Sequence, residues 1–299
     1  MPPGASVWSF LPWTRESYIK KFLSVTPEER DELAKAEQRT PIWFKAREGR
    51  ASASRFGGLV GLGYGYDRNG RQRDSMDATA KEFIHGLFKG NIACRYGTFC
   101  EPICAEVMER SLGPRIRAEE GVVGVRFTYP GFLCNVAEPW VGVSPDGIIE
   151  VDHADGTVER RLIEIKCPYS KRHYPTIPSQ YWCQIQGIMG LEAIDRCYFV
   201  VMTPTEVHFE EYNYDREFFE GFLMPTMRTF YMETLLPLLA LKRMGLLKKG
   251  QTKLVPVVRA PEGAAPQGAP ERAPEEARAK PTAHAPTAGK RATVSSLFR

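Results

Sequence analysis

The chain contains no Cys-x-x-Cys pair, and its seven cysteines (Cys94, Cys100, Cys104, Cys134, Cys167, Cys183, Cys197) are scattered and odd in number. That spacing speaks against a zinc ribbon and against a disulfide scaffold. It points to reduced thiols in an intracellular protein, cytoplasmic or nuclear. Long hydrophobic runs are missing too: nothing approaches the roughly 18 apolar residues that a membrane span needs. Residues 1–10 show no basic stretch followed by an apolar one, the pattern of a secretory leader, so a soluble chain is expected. A marked excess of either charge is also absent. With 40 Lys and Arg against 36 Asp and Glu the net charge is +4, a balance that permits a nucleic-acid partner without specifying one.

What is present is enough for one large domain: 299 residues, 43% of them hydrophobic, can bury a core. Residues 1–40 read as a helical lead-in whose aromatics (Trp8, Phe10, Trp13, Tyr18, Phe22) pack on the domain. Within it, Thr26-Pro27-Glu28-Glu29 forms a capping box that starts a helix reaching about Gln38. Residues 57–74, with six glycines and with Tyr64, Tyr66, Arg68, Arg71 and Arg73, read either as a basic loop suited to nucleic acid or as a solvated excursion. Two helices are expected over 77–88 and 96–111. On the second, Glu101 shares an otherwise apolar face with Cys104, Ala105 and Met108. A carboxylate placed there needs a partner or a metal to offset its desolvation.

Farther along, strands are expected over 121–129, 196–204 and 206–214, and a helix over 179–193 with Tyr181, Gln184, Ile188 and Leu191 on one side. A long amphipathic helical region over 215–247 is expected to break near Pro225 and Pro237. From 248 the composition turns Ala-, Pro- and Glu-rich, and 256–293 carries no aromatic residue. Such a tail cannot bury enough surface to fold alone. It ends in the short apolar tag Val294-Ser295-Ser296-Leu297-Phe298-Arg299.

The most informative stretch is Ser144-Pro145-Asp146-Gly147 followed by Arg161-Leu162-Ile163-Glu164-Ile165-Lys166-Cys167-Pro168. Both lie in runs rich in β-branched residues, and Asp152-His153-Ala154-Asp155-Gly156 between them favours a turn, so a β-hairpin is expected. Alternation along the strand puts Glu164 and Lys166 on one face and Ile163, Ile165 and Cys167 on the other. Two acids and an ammonium on one face, backed by apolar packing, suit a hard cation. Taken alone, Glu-x-Lys is more often the solvated side of a sheet. Glu138, eight positions before Asp146, reads as a loop or structural residue, with a place in the site as the alternative. Around Arg47, the segment from Trp43 to Ser54 reads either as an apolar anchor and helix start or as a phosphate-binding corner.

Asp followed by Glu-x-Lys on adjacent strands is the core pattern of PD-(D/E)xK nucleases. Four separated segments resemble, in order, the lambda-type exonuclease or YqaJ-like viral recombinase family. They are Trp43-x-x-x-Arg47-x-Gly49-x-x-Ser52-Ala53-Ser54, Gly97-x-x-x-Glu101, the Asp146 and Glu164–Pro168 stretches, and Tyr181-x-x-Gln184-Ile185-Gln186. The resemblance implies an α/β fold, a mixed sheet flanked by helices, over a nuclease domain at 41–247. It implies 5′ to 3′ digestion of duplex DNA from its ends with one or two Mg²⁺ or Mn²⁺ ions, frequently by a homotrimer beside a single-strand annealing protein. It further implies that Asp146, Glu164, Glu101 and the Ile165 carbonyl hold metal, that Lys166 orients or deprotonates the attacking water, and that Gln184 positions nearby groups. Arg47, Ser54 and Ser144 would then cradle the terminal phosphate. An endonuclease of the same fold and a non-catalytic DNA-end-binding factor are the alternatives.

Overall fold

In the computed structural model, residues 6–63, 75–86 and 90–254 and the strand at 291–294 are described. Three short helices open the chain: α1 (Arg15–Phe22), α2 (Pro27–Lys35) and α3 (Pro41–Arg47). The expected capping box starts α2, with Thr26 and Glu29 bonding each other's backbone N–H. Strand β1 (Ala51–Ser52), α4 (Phe56–Leu59), α5 (Ser75–His85) and the long α6 (Ile92–Arg117) follow. Then come β2 (Val122–Thr128), β3 (Leu133–Cys134), β4 (Val141–Val143), β5 (Gly147–His153) and β6 (Val158–Lys166). The chain continues through α7 (Ser179–Glu192), β7 (Arg196–Met202), β8 (Val207–Asn213), α8 (Met224–Phe230), α9 (Leu236–Arg243) and β9 (Arg291–Val294).

Six strands form one mixed sheet in the order β2-β5-β6-β7-β8-β9. All its neighbours are antiparallel except β6 and β7, which run parallel because α7 carries the chain back between them. A small second sheet, β1-β4-β3, joins the segment after α3 to the strand before Asp146. Alternation along β6 decides which layer each side chain meets. Ile163, Ile165 and Cys167 pack with Cys104, Met108, Leu112 and Ile116 of α6. Leu162 points the other way, into a core shared with Cys183, Ile185 and Ile188 of α7. Helices therefore cover both faces, the α/β architecture expected. Residues Gly187 and Gly190 let α7 settle closely: a Cβ on the first would run into the Phe56 ring, and one on the second would lie 2.6 Å from Phe219.

Several expectations are corrected by packing. Helix α6 runs well past both ends of 96–111, through Pro102 and Pro114, because its buried stripe of Cys104, Met108, Leu112 and Ile116 offsets the local cost of each proline. The helical region after β8 does not break at its prolines. Wider π-helical turns, Glu217–Leu223 and Tyr231–Leu235, precede Pro225 and Pro237 and absorb the missing N–H groups. Of the lead-in aromatics, Tyr18 is buried and Trp8, Trp13 and Phe22 pack around it, but Phe10 is exposed. Part of the expected unfolded tail, 291–294, pairs with β8 as an edge strand. The rest of the tail from 255 on lies outside the described residues, as do Phe88 and the Tyr64–Arg73 portion of the basic loop. No helix among the described residues is long and apolar enough to cross a membrane. All seven cysteines are free thiols.

Candidate active site

The β5–β6 hairpin register pairs Gly147 with Ile163, which brings Asp146, one residue upstream, level with Glu164. The Asp146 Oδ2 accepts the backbone N–H of Ile165 at 2.7 Å, and the charge of Glu164 acts on the same carboxyl. Residue Glu164 is fully buried, 0% exposed. Its Oε1 accepts from Nζ of Lys166 and, at 2.5 Å, from Nε2 of Gln184. The Gln184 Oε1 in turn accepts from Lys166 Nζ at 3.3 Å. The Lys166 ammonium also sits over the Tyr181 ring, 4.7 Å from its centre. The Gln184 amide thus closes a bridge between the acid and the ammonium, and Tyr181, one turn before it, supplies the wall.

Burial sets the electrostatics of this group. It pushes the Asp146 carboxyl well above the ordinary carboxylate range, and the neighbouring Glu164 and Glu101 charges push it further, against Lys166 and the Ile165 N–H. Burial likewise raises Glu164, against the attraction and hydrogen bond of Lys166. For Lys166 burial alone favours the neutral amine, but Glu164 and Asp146 outweigh it and raise the ammonium to about 12. A lysine so held carries its positive charge near neutral pH.

Because the folded chain keeps protons on Asp146 and Glu164 to a higher pH than the unfolded chain, their contribution to stability is fullest at acid pH. It is lost as pH rises from the usual carboxylate range through the raised native values. Replacing Asp146 by Asn keeps an oxygen for the Ile165 N–H and removes a buried charge. In EDTA at neutral pH, Asp146→Asn is expected to raise the melting temperature by about 2–4 °C, the equivalent of about 1 kcal/mol for a chain of this size. It should also flatten the decline in stability between acid and neutral pH. A lower melting temperature in calorimetry would contradict this account.

One buried oxygen has no hydrogen-bond partner: Oε2 of Glu164. A buried carboxylate oxygen left unmatched is costly, and together with the adjacent Asp146 carboxyl it fits a hard divalent cation, whose ligands are oxygens. Residue Glu101 stands apart. Its Oε2 accepts from Nη2 of Arg39 at 2.6 Å, and among the described residues no three acidic, imidazole or thiol side chains are close enough to grip one ion as placed. Even so, its charge bears on Asp146, Glu164 and Lys166. Glu138 serves the scaffold, accepting from the Trp140 indole at 2.5 Å and pairing with Arg228.

A second, cationic corner adjoins the acids through Ser144, two residues before Asp146. The Ser144 Oγ accepts from the Trp43 indole at 2.9 Å, and the guanidinium of Arg47 lies 4.2 Å from the Trp43 ring centre while donating to Ser52 Oγ at 2.9 Å. Burial, then the charges of Arg55 and Arg39, lower Arg47 to about 10. Residue Ser54 is exposed; the hydroxyl that meets Arg47 is that of Ser52. Sequence reasoning missed Arg55, whose Nη1 is buried without a partner, although it directly follows Ser54. It also missed Arg39, which no local pattern marks.

A family model described as the YqaJ-like viral recombinase domain matches residues 42–191, half of the chain, and spans both the cationic corner and the acidic pair. The chain belongs to the YqaJ-like viral recombinase family. Among solved structures, this family member resembles an alkaline exonuclease (LHK-Exo) from Laribacter hongkongensis. The two are 22% identical with a TM-score of 0.50, over 69% of this chain and 98% of that one. A phage-related exonuclease from Haemophilus somnus 129PT aligns at 14% identity and a TM-score of 0.41, covering 61% and 93% of the two chains. The first likeness shows the PD-(D/E)xK-like fold. No curated protein matches the chain by sequence.

Proposed function

We propose that this YqaJ-family chain is a divalent-metal-dependent DNA exonuclease that digests linear duplex from its ends in the 5′ to 3′ direction. The observation that carries the reading is the buried, half-satisfied Glu164 carboxylate beside Asp146 and under Lys166. Asp146 and Glu164, with the Ile165 carbonyl and Glu101, would hold one or two Mg²⁺ or Mn²⁺ ions. What such an ion supplies in a carboxylate cradle is acidification of a water and neutralisation of charge developing on the phosphate. The chain's own residues do the rest. Lys166, kept cationic by the two acids, orients the attacking water and balances charge at the phosphate, while Gln184 fixes both Glu164 and Lys166. Arg47, Ser54 and Ser144 form the pocket for a terminal phosphate, where a guanidinium fork against a ring face suits a tetrahedral anion. Support also comes from the alkaline exonuclease whose fold this chain shares, a protein solved with dAMP bound. Family resemblance extends the proposal to a homotrimer and a single-strand annealing partner.

The test is digestion of end-labelled linear duplex with Mg²⁺, beside a covalently closed circle and an EDTA control. Early release of the 5′ label with the circle intact is the expected result. Cleavage of the circle would make the protein an endonuclease, and DNA-end binding without divalent-dependent hydrolysis would make it a non-catalytic factor.

A further inference from the structure

The α2–α3 connection carries a residue in a conformation that L side chains rarely adopt: Arg39, with φ of +67°. Both its neighbours are pinned. Gln38 Nε2 donates to the carbonyls of Pro130 (2.9 Å) and Pro145 (3.0 Å), the latter immediately before Asp146. Thr40 donates to the Glu37 carbonyl at 2.7 Å and caps α3. Strain of this kind persists where surrounding bonds impose it, and it clusters at functional sites. Here it aims Arg39 at Glu101, 2.6 Å away, with 41% of the Arg39 side chain exposed against 23% for Glu101. The charge of Glu101 acts on Asp146 and Glu164, and that of Arg39 acts on Arg47. Arg39 therefore stands between the acids and the cationic corner. A carboxylate that shares its charge with a guanidinium 2.6 Å from Oε2 is the weaker ligand for a divalent cation.

We propose that Arg39 is a tethered counter-ion of Glu101, held in place by the strained α2–α3 connection, and that it competes with a divalent cation for the charge of that carboxylate. This rests on the metal-dependent reading of the site and adds a residue to it. Arg39 is then a positioning residue: it sets how readily the third acid joins the ion and touches no reacting atom.

The experiment is calorimetric titration of the full chain with Mn²⁺ in the absence of DNA. Arg39→Gln is expected to bind Mn²⁺ about three- to tenfold more tightly than the wild type, the size of a partly exposed charged hydrogen bond removed from competition. Arg39→Lys, which keeps the charge but loses the fork, should fall between them. Arg39→Gly accepts the left-handed backbone without strain and should behave as Arg39→Gln does, which keeps the test open if the glutamine variant folds poorly. Unchanged or weaker Mn²⁺ binding in Arg39→Gln and Arg39→Gly, with binding still lost in Glu164→Gln, overturns the counter-ion alone. Mn²⁺ binding indifferent to Glu164→Gln overturns the metal reading of the site and the counter-ion with it.

Discussion

Replacing Glu164 by Gln is expected to slow Mg²⁺-dependent digestion of linear duplex by about 10³-fold or more, the scale on which preorganised charge acts at reacting centres. The substitution is nearly isosteric. Its carbonyl oxygen can still accept from Gln184 and Lys166, which hold the present carboxylate, so the loss would be of charge and not of architecture. Removing a fully buried carboxylate also relieves desolvation, and Glu164→Gln should melt no lower than the wild type in EDTA. Lys166→Ala is expected to lose activity on the same scale but for a different reason. It leaves Asp146 and Glu164 facing each other without the ammonium that offsets both, so its stability should fall more steeply than that of the wild type as pH rises. Initial rates on end-labelled duplex, beside melting curves at acid and neutral pH, separate the two effects. Undiminished digestion by both variants would remove this pair from the chemistry.

The second large effect is expected at the cationic corner. Arg47 is stacked on Trp43, bonded to Ser52 and crowded by Arg55 and Arg39, and no carboxylate pairs with it among the described residues. An arriving phosphate dianion would relieve that crowding. Arg47→Ala should therefore slow digestion from 5′-phosphorylated ends by about 10²-fold, the cost of misplacing a substrate end at a reacting centre. It should also abolish the advantage of phosphorylated over hydroxyl ends. Arg47→Lys keeps the charge without the planar fork and should recover only part of the rate. Rates measured on the two kinds of end settle the point: if the wild type digests both equally, Arg47 is not an end-binding group.

Sequence alone determined a good deal here, because much of what matters is written within about ten residues. The capping box at Thr26 starts α2 where expected. The turn at 152–156 brings Asp146 to Glu164, and strand alternation puts Glu164 and Lys166 on the α7 side while Ile163 and Ile165 face α6. Those features depend on local periodicity and turn chemistry, and they survive burial. Tertiary structure decided the rest. Packing on the sheet carried α6 through two prolines, and π-helical turns carried the last helical region through two more, costs that no local pattern shows being offset. Partner choice was decided the same way. Glu101 meets Arg39 across 62 positions and Trp43 meets Ser144 across 101, since a charged or polar side chain takes whichever complementary group the fold brings within about 3 Å.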